Sequence, residues 1–319
     1  MIDMPLQREP ISEIPPLWAS LSASMIRRLP LGRYRMMDWL CRGSSARFVA
    51  QFPGSSSGLR FECDVRNSLA REAFFTGKYE PPETFLIRRL VDPGGTFVDV
   101  GAHWGYFSLI MAEHVGAAGR VLAIEADPRI YAILERNFAM NDLPQVQLVY
   151  AAAAAGSGVL PLISFDEHHN NWGISRIAAG SERGSVSYEV PARGLDDLLD
   201  EAGVDAVDLV KMDIEGAEAL ALAGMAAGLR SGRYRCLLLE LHPSQLSEQG
   251  TSPVAIIEGL LELGYRGWLI AHSAAAVRRA AYGRGEAIKS LVRPLQWPEP
   301  LDAWPHLIFT LDDGPLYSG

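Results

Sequence analysis

The chain has 319 residues, 48% of them hydrophobic and 21% charged, with a formal net charge of -9. That balance predicts a soluble globular protein with one large domain and appendages, or two domains, and its acidity argues against nucleic acid, which calls for a basic face. Cys41, Cys63 and Cys236 are odd in number and far apart, so they offer no zinc-ligand spacing and predict a reducing, cytoplasmic setting. The opening residues lack the basic-then-apolar order of a signal peptide, and no apolar run is long enough to span a membrane.

Residues 1–18 are proline-rich and read as extended. Residues 19–50 set Arg27, Arg28, Arg33, Arg35, Arg42 and Arg47 among Met25, Ile26, Leu29, Leu31, Met36, Met37, Trp39 and Leu40, with a break near Pro30 and Gly32. This is either a partly helical arm with a solvated basic face or a docking surface for an anionic partner, a membrane surface or a second copy of the chain. The expected partition is an arm over 1–75, a core over 76–271 with an insertion at about 156–191, and a lid segment with a last strand over 272–319.

From about residue 83, strands and helices alternate. "TFVDV" (96–100) is a buried strand, "YFSLIMAEHVG" (106–116) a helix and "RVLAIEA" (120–126) the next strand. Asp127 then Pro128 marks the start of a helix that runs to about Asn141. "VQLVYAA" (146–152) is a third strand. Residues 156–191 break the pattern with short alternating runs, a small antiparallel excursion around the polar loop "HHNNWG" (168–173). The alternation resumes with "VDLVKMDI", a helix over about 216–230, the strand 235–241, a helix over 252–263, and strands at 267–271 and 305–311. Such alternation predicts an α/β fold whose mainly parallel sheet is covered on both faces.

Ligands of open parallel sheets bind beyond the carboxyl ends of the strands. There the first turn reads Asp99-Val-Gly101-Ala-His-Trp-Gly105, which is not G-x-G-x-x-G, so a nicotinamide-dependent oxidoreductase is disfavoured. Gly101 allows close backbone approach, amides at the following helix start suit a carboxylate, and Asp99 suits an ammonium, directly or through water. Glu125 ends the second strand, where an acid accepts both hydroxyls of a ribose. Together they fit a nucleoside carrying an amino acid; the bland alternative is two ordinary strand-end acids.

Further acids gather at "DLVKMDIEGAE" (208–218), and "LELHP" adds Glu240 and His242 at the next strand end. Asp213 is the first candidate for base or orienter. Glu215 either shares the pocket or bonds the turn, and His242 is either the base or structural. Glu218 suits the helix start. Asp213, Glu240 and His242 carry donors that suit a divalent ion, but spacing fixes no geometry, so no metal is assigned. Asn170, Asn171 and Trp172 are substrate-loop candidates, against a plain exposed loop. Arg278, Arg279, Arg284, Lys289 and Arg293 form a basic tract that is either a solvated face or a docking site.

With these residues joined, the chain resembles the FkbM family of S-adenosylmethionine-dependent methyltransferases. The likeness runs from "GKYEPPETF" (77–85) through "FVDVGAHWGYFSL", "VLAIEADPRIYAILERNFAMN", "VPARGLDDLL" and "VDLVKMDIEGAEALAL" to "LLLELHP" (237–243). It implies a class I, Rossmann-like methyltransferase fold with a seven-stranded sheet. It implies S-adenosylmethionine as cofactor, and O-methylation of a small-molecule, glycan or carrier-tethered acceptor such as a sugar or secondary metabolite. It implies cofactor contacts around Tyr79 and Glu80, Asp99, Gly101, Ala102, His103, Gly105 and Phe107, Glu125 and Ala126, and Asp213. His103 stands where the family often has Asn, and Ala126 where Pro often follows the acid. The competing class is a non-catalytic S-adenosylmethionine-binding or scaffold protein, which needs no acids at 213–242.

Overall fold

The computed structural model describes residues 11–165, 173–177, 185–273, 276 and 290–312. They fall into two units, Met1–Tyr79 with Ala139–Asn141, and Glu80–Phe138 with Asp142–Gly319.

In the first unit, helices α1 (Leu17–Arg28) and α2 (Arg33–Cys41) are separated at Gly32, whose φ of 79° turns the chain. The stretch expected as a helical arm also carries an antiparallel pair, β1 (Arg47–Gln51) and β2 (Arg60–Asp64), then α3 (Ser68–Thr76). Asn67 caps α3 by accepting the Ala70 N–H at 2.9 Å. Ile26, Phe48, Phe61 and Phe75 are fully buried in this unit's core.

The second unit opens with α4 (Pro81–Leu90), β3 (Thr96–Val100), α5 (Tyr106–Val115), β4 (Arg120–Glu125), α6 (Pro128–Ala139) and β5 (Val146–Tyr150). The insertion contributes β6 (Ala152–Ala153), β7 (Gly158–Phe165), β8 (Ser175–Ile177) and β9 (Ser185–Arg193). Then follow α7 (Leu195–Glu201), β10 (Leu209–Met212), α8 (Glu218–Ala223), α9 (Ala226–Ser231), β11 (Cys236–Glu240), α10 (Pro243–Glu248), α11 (Pro253–Glu262), β12 (Arg266–Ile270), β13 (Val292–Pro294) and β14 (His306–Thr310). The main sheet has the order β13-β12-β14-β11-β10-β3-β4-β5. Strands β5, β4, β3, β10 and β11 are parallel, and β14 lies antiparallel between β11 and β12. Seven strands were expected; the eighth is β13, an edge strand antiparallel to β12.

Three local differences have packing reasons. The excursion is a four-stranded sheet, β6-β9-β7-β8, that also recruits Ala152 and Ala153. The single helix expected over 216–230 is two short ones. Gly224 lies between them, and a Cβ there would sit 1.9 Å from the Ala154 carbonyl oxygen, an approach no other residue permits. Helix α10, unforeseen, starts at Pro243, where proline's missing N–H costs nothing.

From β3 the chain winds one way through β4 and β5, and returns on the other side through β10 and β11. The carboxyl ends of β3 and β10 therefore flank the switch point, where such sheets bind ligands. Val100 pairs with Met212, and Met212 with Leu239, so the residues after β3, β10 and β11 emerge at one level.

Candidate active site

The turn after β3 is held from three directions. Gly101 and Ala102 both donate backbone N–H to the Ile124 carbonyl, at 3.0 and 2.9 Å. The Asn137 side chain, fully buried on α6, donates to the Trp104 carbonyl at 2.7 Å. His103 donates its backbone N–H to Glu125 Oε2 at 2.8 Å. His103 has φ 52°, a left-handed conformation that asparagine tolerates well, which accounts for the asparagine the resemblance expects there. Burial pushes its imidazole down to about 4, so the ring is neutral near pH 7.

The two glycines serve packing. Gly101 has φ 79°, and a Cβ there would lie 2.1 Å from the Asp213 carbonyl oxygen, so β3 and β10 can close only over glycine. Gly105 opens α5, and a Cβ there would press on Leu134 and Phe138 of α6 at 2.8 and 2.9 Å. Asp99 is fully buried: Oδ2 accepts the Ser108 hydroxyl at 2.6 Å, whereas Oδ1 has no hydrogen-bond partner among the described residues. Burial raises its carboxyl above the ordinary range, against the pull of Lys211 and Ser108. Phe107 lies beneath the Lys211 ammonium, 4.8 Å from its ring centre.

Glu125 is pinned between two turns. Oε2 takes the His103 amide, and Oε1 accepts the Asp127 N–H at 2.8 Å. Each oxygen retains a further lone pair for a hydroxyl. Ala126 packs in the small apolar cluster around Ala152 and Val190, and Asp127 caps α6 through the Arg129 N–H at 2.8 Å. Burial pushes the Glu125 carboxyl up to about 7, although the backbone amides work the other way. A ligand diol that donates to both oxygens favours the carboxylate. Binding therefore expels a proton below pH 7, and affinity for adenosylhomocysteine should fall as pH drops through that value. Glu125→Gln should lose that pH dependence and bind more weakly by about 1.5–3 kcal/mol. Calorimetry from pH 5.5 to 8.5 checks this; unchanged affinity and slope would show that Glu125 only anchors the turns.

The remaining acids meet around one imidazole. Glu218, fully buried, accepts the Gly216 N–H at 3.0 Å and faces His242 Nδ1 at 3.1 Å with the same oxygen. Its place is thus a joint between the helix start and His242, not a simple cap. His242 Nε2 lies 3.5 Å from Glu215 Oε2, 3.7 Å from Glu240 Oε1 and 3.9 Å from Asp213 Oδ1. Burial opposes charge on His242, but Glu218, Glu215 and Asp213 outweigh it and push it up to about 9. Burial, with Asp213 and Glu80, pushes Glu240 up to about 9, and burial also raises Glu215. Lys211 is buried 3.7 Å from Asp213 Oδ2; Asp213, Asp99, Glu80 and Glu240 hold it charged against the cost of burial.

Glu80 precedes Pro81 with φ 40°, and burial with Glu83 pushes it up to about 6. Tyr79 is the neighbouring residue and closes the first unit. Asn170, Asn171 and Trp172 lie outside the described residues, as do Arg278, Arg279, Arg284 and Lys289. Arg293 does not join a free basic face: it sits on edge strand β13, bonded to Glu299 at 2.9 Å.

One cluster escaped the sequence. Glu83 Oε1 lies 3.2 Å from His272 Nδ1 and 3.1 Å from His306 Nδ1, and the two rings stack 3.8 Å apart. His306 Nε2 in turn lies 3.5 Å from Glu240 Oε1. The usable signal was the histidine that opens the last strand, but only the antiparallel register, Glu240 opposite His306, shows where it goes.

The fold is that of a class I methyltransferase, with Asp99 on β3 and Asp213 just after β10, the strands that flank the switch point. The sequence matches the Methyltransferase FkbM domain over residues 99–266. It is 32% identical over 154 residues to "Methyltransferase sdnD" of Sordaria araneosa, covering 40% of this chain and 59% of that protein. It is 25% identical over 204 residues to "2-O-methyltransferase NoeI" of Sinorhizobium fredii (strain NBRC 101917 / NGR234), covering 59% of this chain and 82% of that protein. A solved structure of Aeropyrum pernix fibrillarin with natively bound S-adenosyl-L-methionine aligns at TM-score 0.40 and 12% identity, covering 72% of this chain and 76% of that chain. The chain belongs to the FkbM methyltransferase family, whose cofactor is S-adenosylmethionine.

Proposed function

We propose that the protein transfers a methyl group to a hydroxyl oxygen of a sugar, glycan or secondary metabolite, free or carrier-tethered. The observation that carries this reading is the ring of Asp213, Glu215 and Glu240 around His242 at the ends of β10 and β11, beside the turn that holds Glu125. The residues fit the cofactor. Asp99 Oδ1 is buried without a partner among the described residues, Glu125 presents both oxygens, and the excess of carboxylates suits a cationic ligand. S-adenosylmethionine, when bound, supplies an electrophilic methyl group. Glu80 and the turn from Asp99 to Phe107 complete the proposed cofactor surface of the second unit, and Asn170, Asn171 and Trp172 remain the proposed acceptor loop.

Asp213 acts on the acceptor. It orients the hydroxyl for in-line approach and takes its proton as the oxygen–methyl bond forms and the sulfur–methyl bond breaks. His242, its Nδ1 tied to Glu218, is the lesser candidate for base. The 2-O-methyl activity in the name of NoeI supports oxygen as acceptor atom. Cys41, Cys63 and Cys236 are free and buried, which supports a cytoplasmic setting. No helix among the described residues is long and apolar enough to cross a membrane. Exposed Leu17, Leu21 and Trp39 support the first unit as a homodimer surface.

The test is incubation with methyl-labelled cofactor and a panel of sugars, oligosaccharides and hydroxylated metabolites, with products located by NMR. Methyl on oxygen is expected. Methyl on nitrogen or carbon would overturn the acceptor class, and adenosylhomocysteine binding without transfer to any panel member would favour the scaffold reading.

A further inference from the structure

We infer that His242, Asp213 and Glu215 form a divalent-cation site, with Glu218 as the residue that positions the imidazole. The inference deepens the methyltransferase reading and rests on it only for what the ion does. His242 is 4% exposed, and its two ring nitrogens keep different company. Glu218 Oε1 already accepts the Gly216 N–H, so it serves as acceptor and Nδ1 carries the hydrogen toward it at 3.1 Å. This is the carboxylate–histidine arrangement that orients imidazoles toward metal ions. It turns Nε2 to the far side, where it makes no hydrogen bond with a described residue.

The distances there argue for an ion over a proton. A protonated Nε2 paired with carboxylates would draw one of them to hydrogen-bonding range, about 2.7–2.9 Å. Instead three oxygens stand off at 3.5, 3.7 and 3.9 Å. Two atoms each about 2.1 Å from one octahedral ion lie roughly 3.0–4.2 Å apart, so these separations match ligands around a shared centre. Ligand atoms of Asp213, Glu215 and His242 all lie within 4.8 Å of one another. The backbone is bent to bring Glu215 there: it has φ 51°, a conformation costly for a residue with a Cβ. One imidazole with two carboxylates suits ions such as Mn²⁺ or Mg²⁺, and Lys211 offsets only part of the negative charge. The stacked pair His272 and His306 with Glu83 is a poorer candidate. Rings stacked 3.8 Å apart and only 10° from parallel cannot both hold an ion in their planes.

Three protein donors leave three places on a six-coordinate ion. Two of them can receive a hydroxyl and a flanking second oxygen, the pattern of a vicinal diol on a sugar. An ion that receives the hydroxyl lowers its pKa, so Asp213 takes a proton already loosened.

The test needs no acceptor. The full chain, freed of metal by chelation, is titrated with Mn²⁺ and followed by electron paramagnetic resonance, while calorimetry in parallel measures adenosylhomocysteine binding. One bound Mn²⁺ is expected. Glu215→Gln should weaken it at least about 10-fold, and Glu218→Gln, which disturbs the group behind the imidazole, about 10–100-fold. His272→Ala should leave it unchanged. Absence of bound Mn²⁺ in a chain that still binds adenosylhomocysteine overturns the cation site and spares the methyltransferase. Mn²⁺ bound without adenosylhomocysteine supports the cation site and removes the methyltransferase reading. Mn²⁺ binding indifferent to both Glu215→Gln and Glu218→Gln also overturns the site.

Discussion

Asp213→Asn is expected to slow methyl transfer by about 10²–10⁴-fold at saturating cofactor, the usual worth of a positioned base, while the melting temperature stays close to that of the parent chain. The asymmetry follows from the residue's surroundings. Its backbone is fixed by the N–H bond to the Val100 carbonyl at 3.2 Å, which the substitution keeps. The side chain is 28% exposed, and Lys211 at 3.7 Å is its nearest cation. Lys211 keeps Asp99, Glu80 and Glu240 as electrostatic partners when Asp213 becomes neutral. Folding therefore loses little, whereas the acceptor hydroxyl loses its proton acceptor and an ion would lose a ligand. Single-turnover rates with the true acceptor decide the case, with His242→Gln as the rival. If His242 were the base, the rate would rise with pH until about 9, where that imidazole loses its proton. A near-normal rate for Asp213→Asn beside collapse of His242→Gln would transfer the role to His242.

What the sequence revealed of this site depended on how local each cause is. The turn from Asp99 to Gly105 and the acid Glu125 at the end of β4 stand out because strand, glycine turn and Asp-Pro helix start lie within one short stretch. The crowd around His242 was visible only as separate acids. Glu218 read as a helix-start acid, because its link to His242 spans 24 positions and depends on where β11 ends. The break at Gly224 comes from a carbonyl 70 residues earlier in the chain, Ala154, which propensity does not register. Glu83 and His306 meet only because β14 inserts antiparallel beside β11, a long-range pairing that hydrophobic pattern leaves open.

Glu83→Gln is expected to destabilise the second unit by about 3–5 kcal/mol near pH 5.5, the range for a buried ion pair that loses one partner. Glu83 is 1% exposed on α4 and serves two imidazoles from distant elements, His272 just after β12 and His306 at the start of β14. Burial alone would raise its carboxyl, but the two histidines outweigh burial and bring it down to about 2. For His306, burial opposes the charge, and Glu83, with Glu80 and Asp213, raises it above 6.5. The two linkages have opposite signs. A carboxyl depressed from 4.5 to about 2 contributes stability that is full above pH 4.5 and fades as pH falls toward 2. An imidazole raised above 6.5 contributes stability that is full below pH 6.5 and fades as pH rises through its folded value. The difference between parent and variant should therefore peak between pH 4.5 and 6.5 and shrink on both sides. Denaturant unfolding at pH 3, 5.5 and 8, followed through hydrogen exchange of the Leu307 and Ile308 amides in β14, measures it. An equal difference at all three values would mean that Glu83 stabilises the sheet by packing, and that its charge shared with the two histidines contributes nothing.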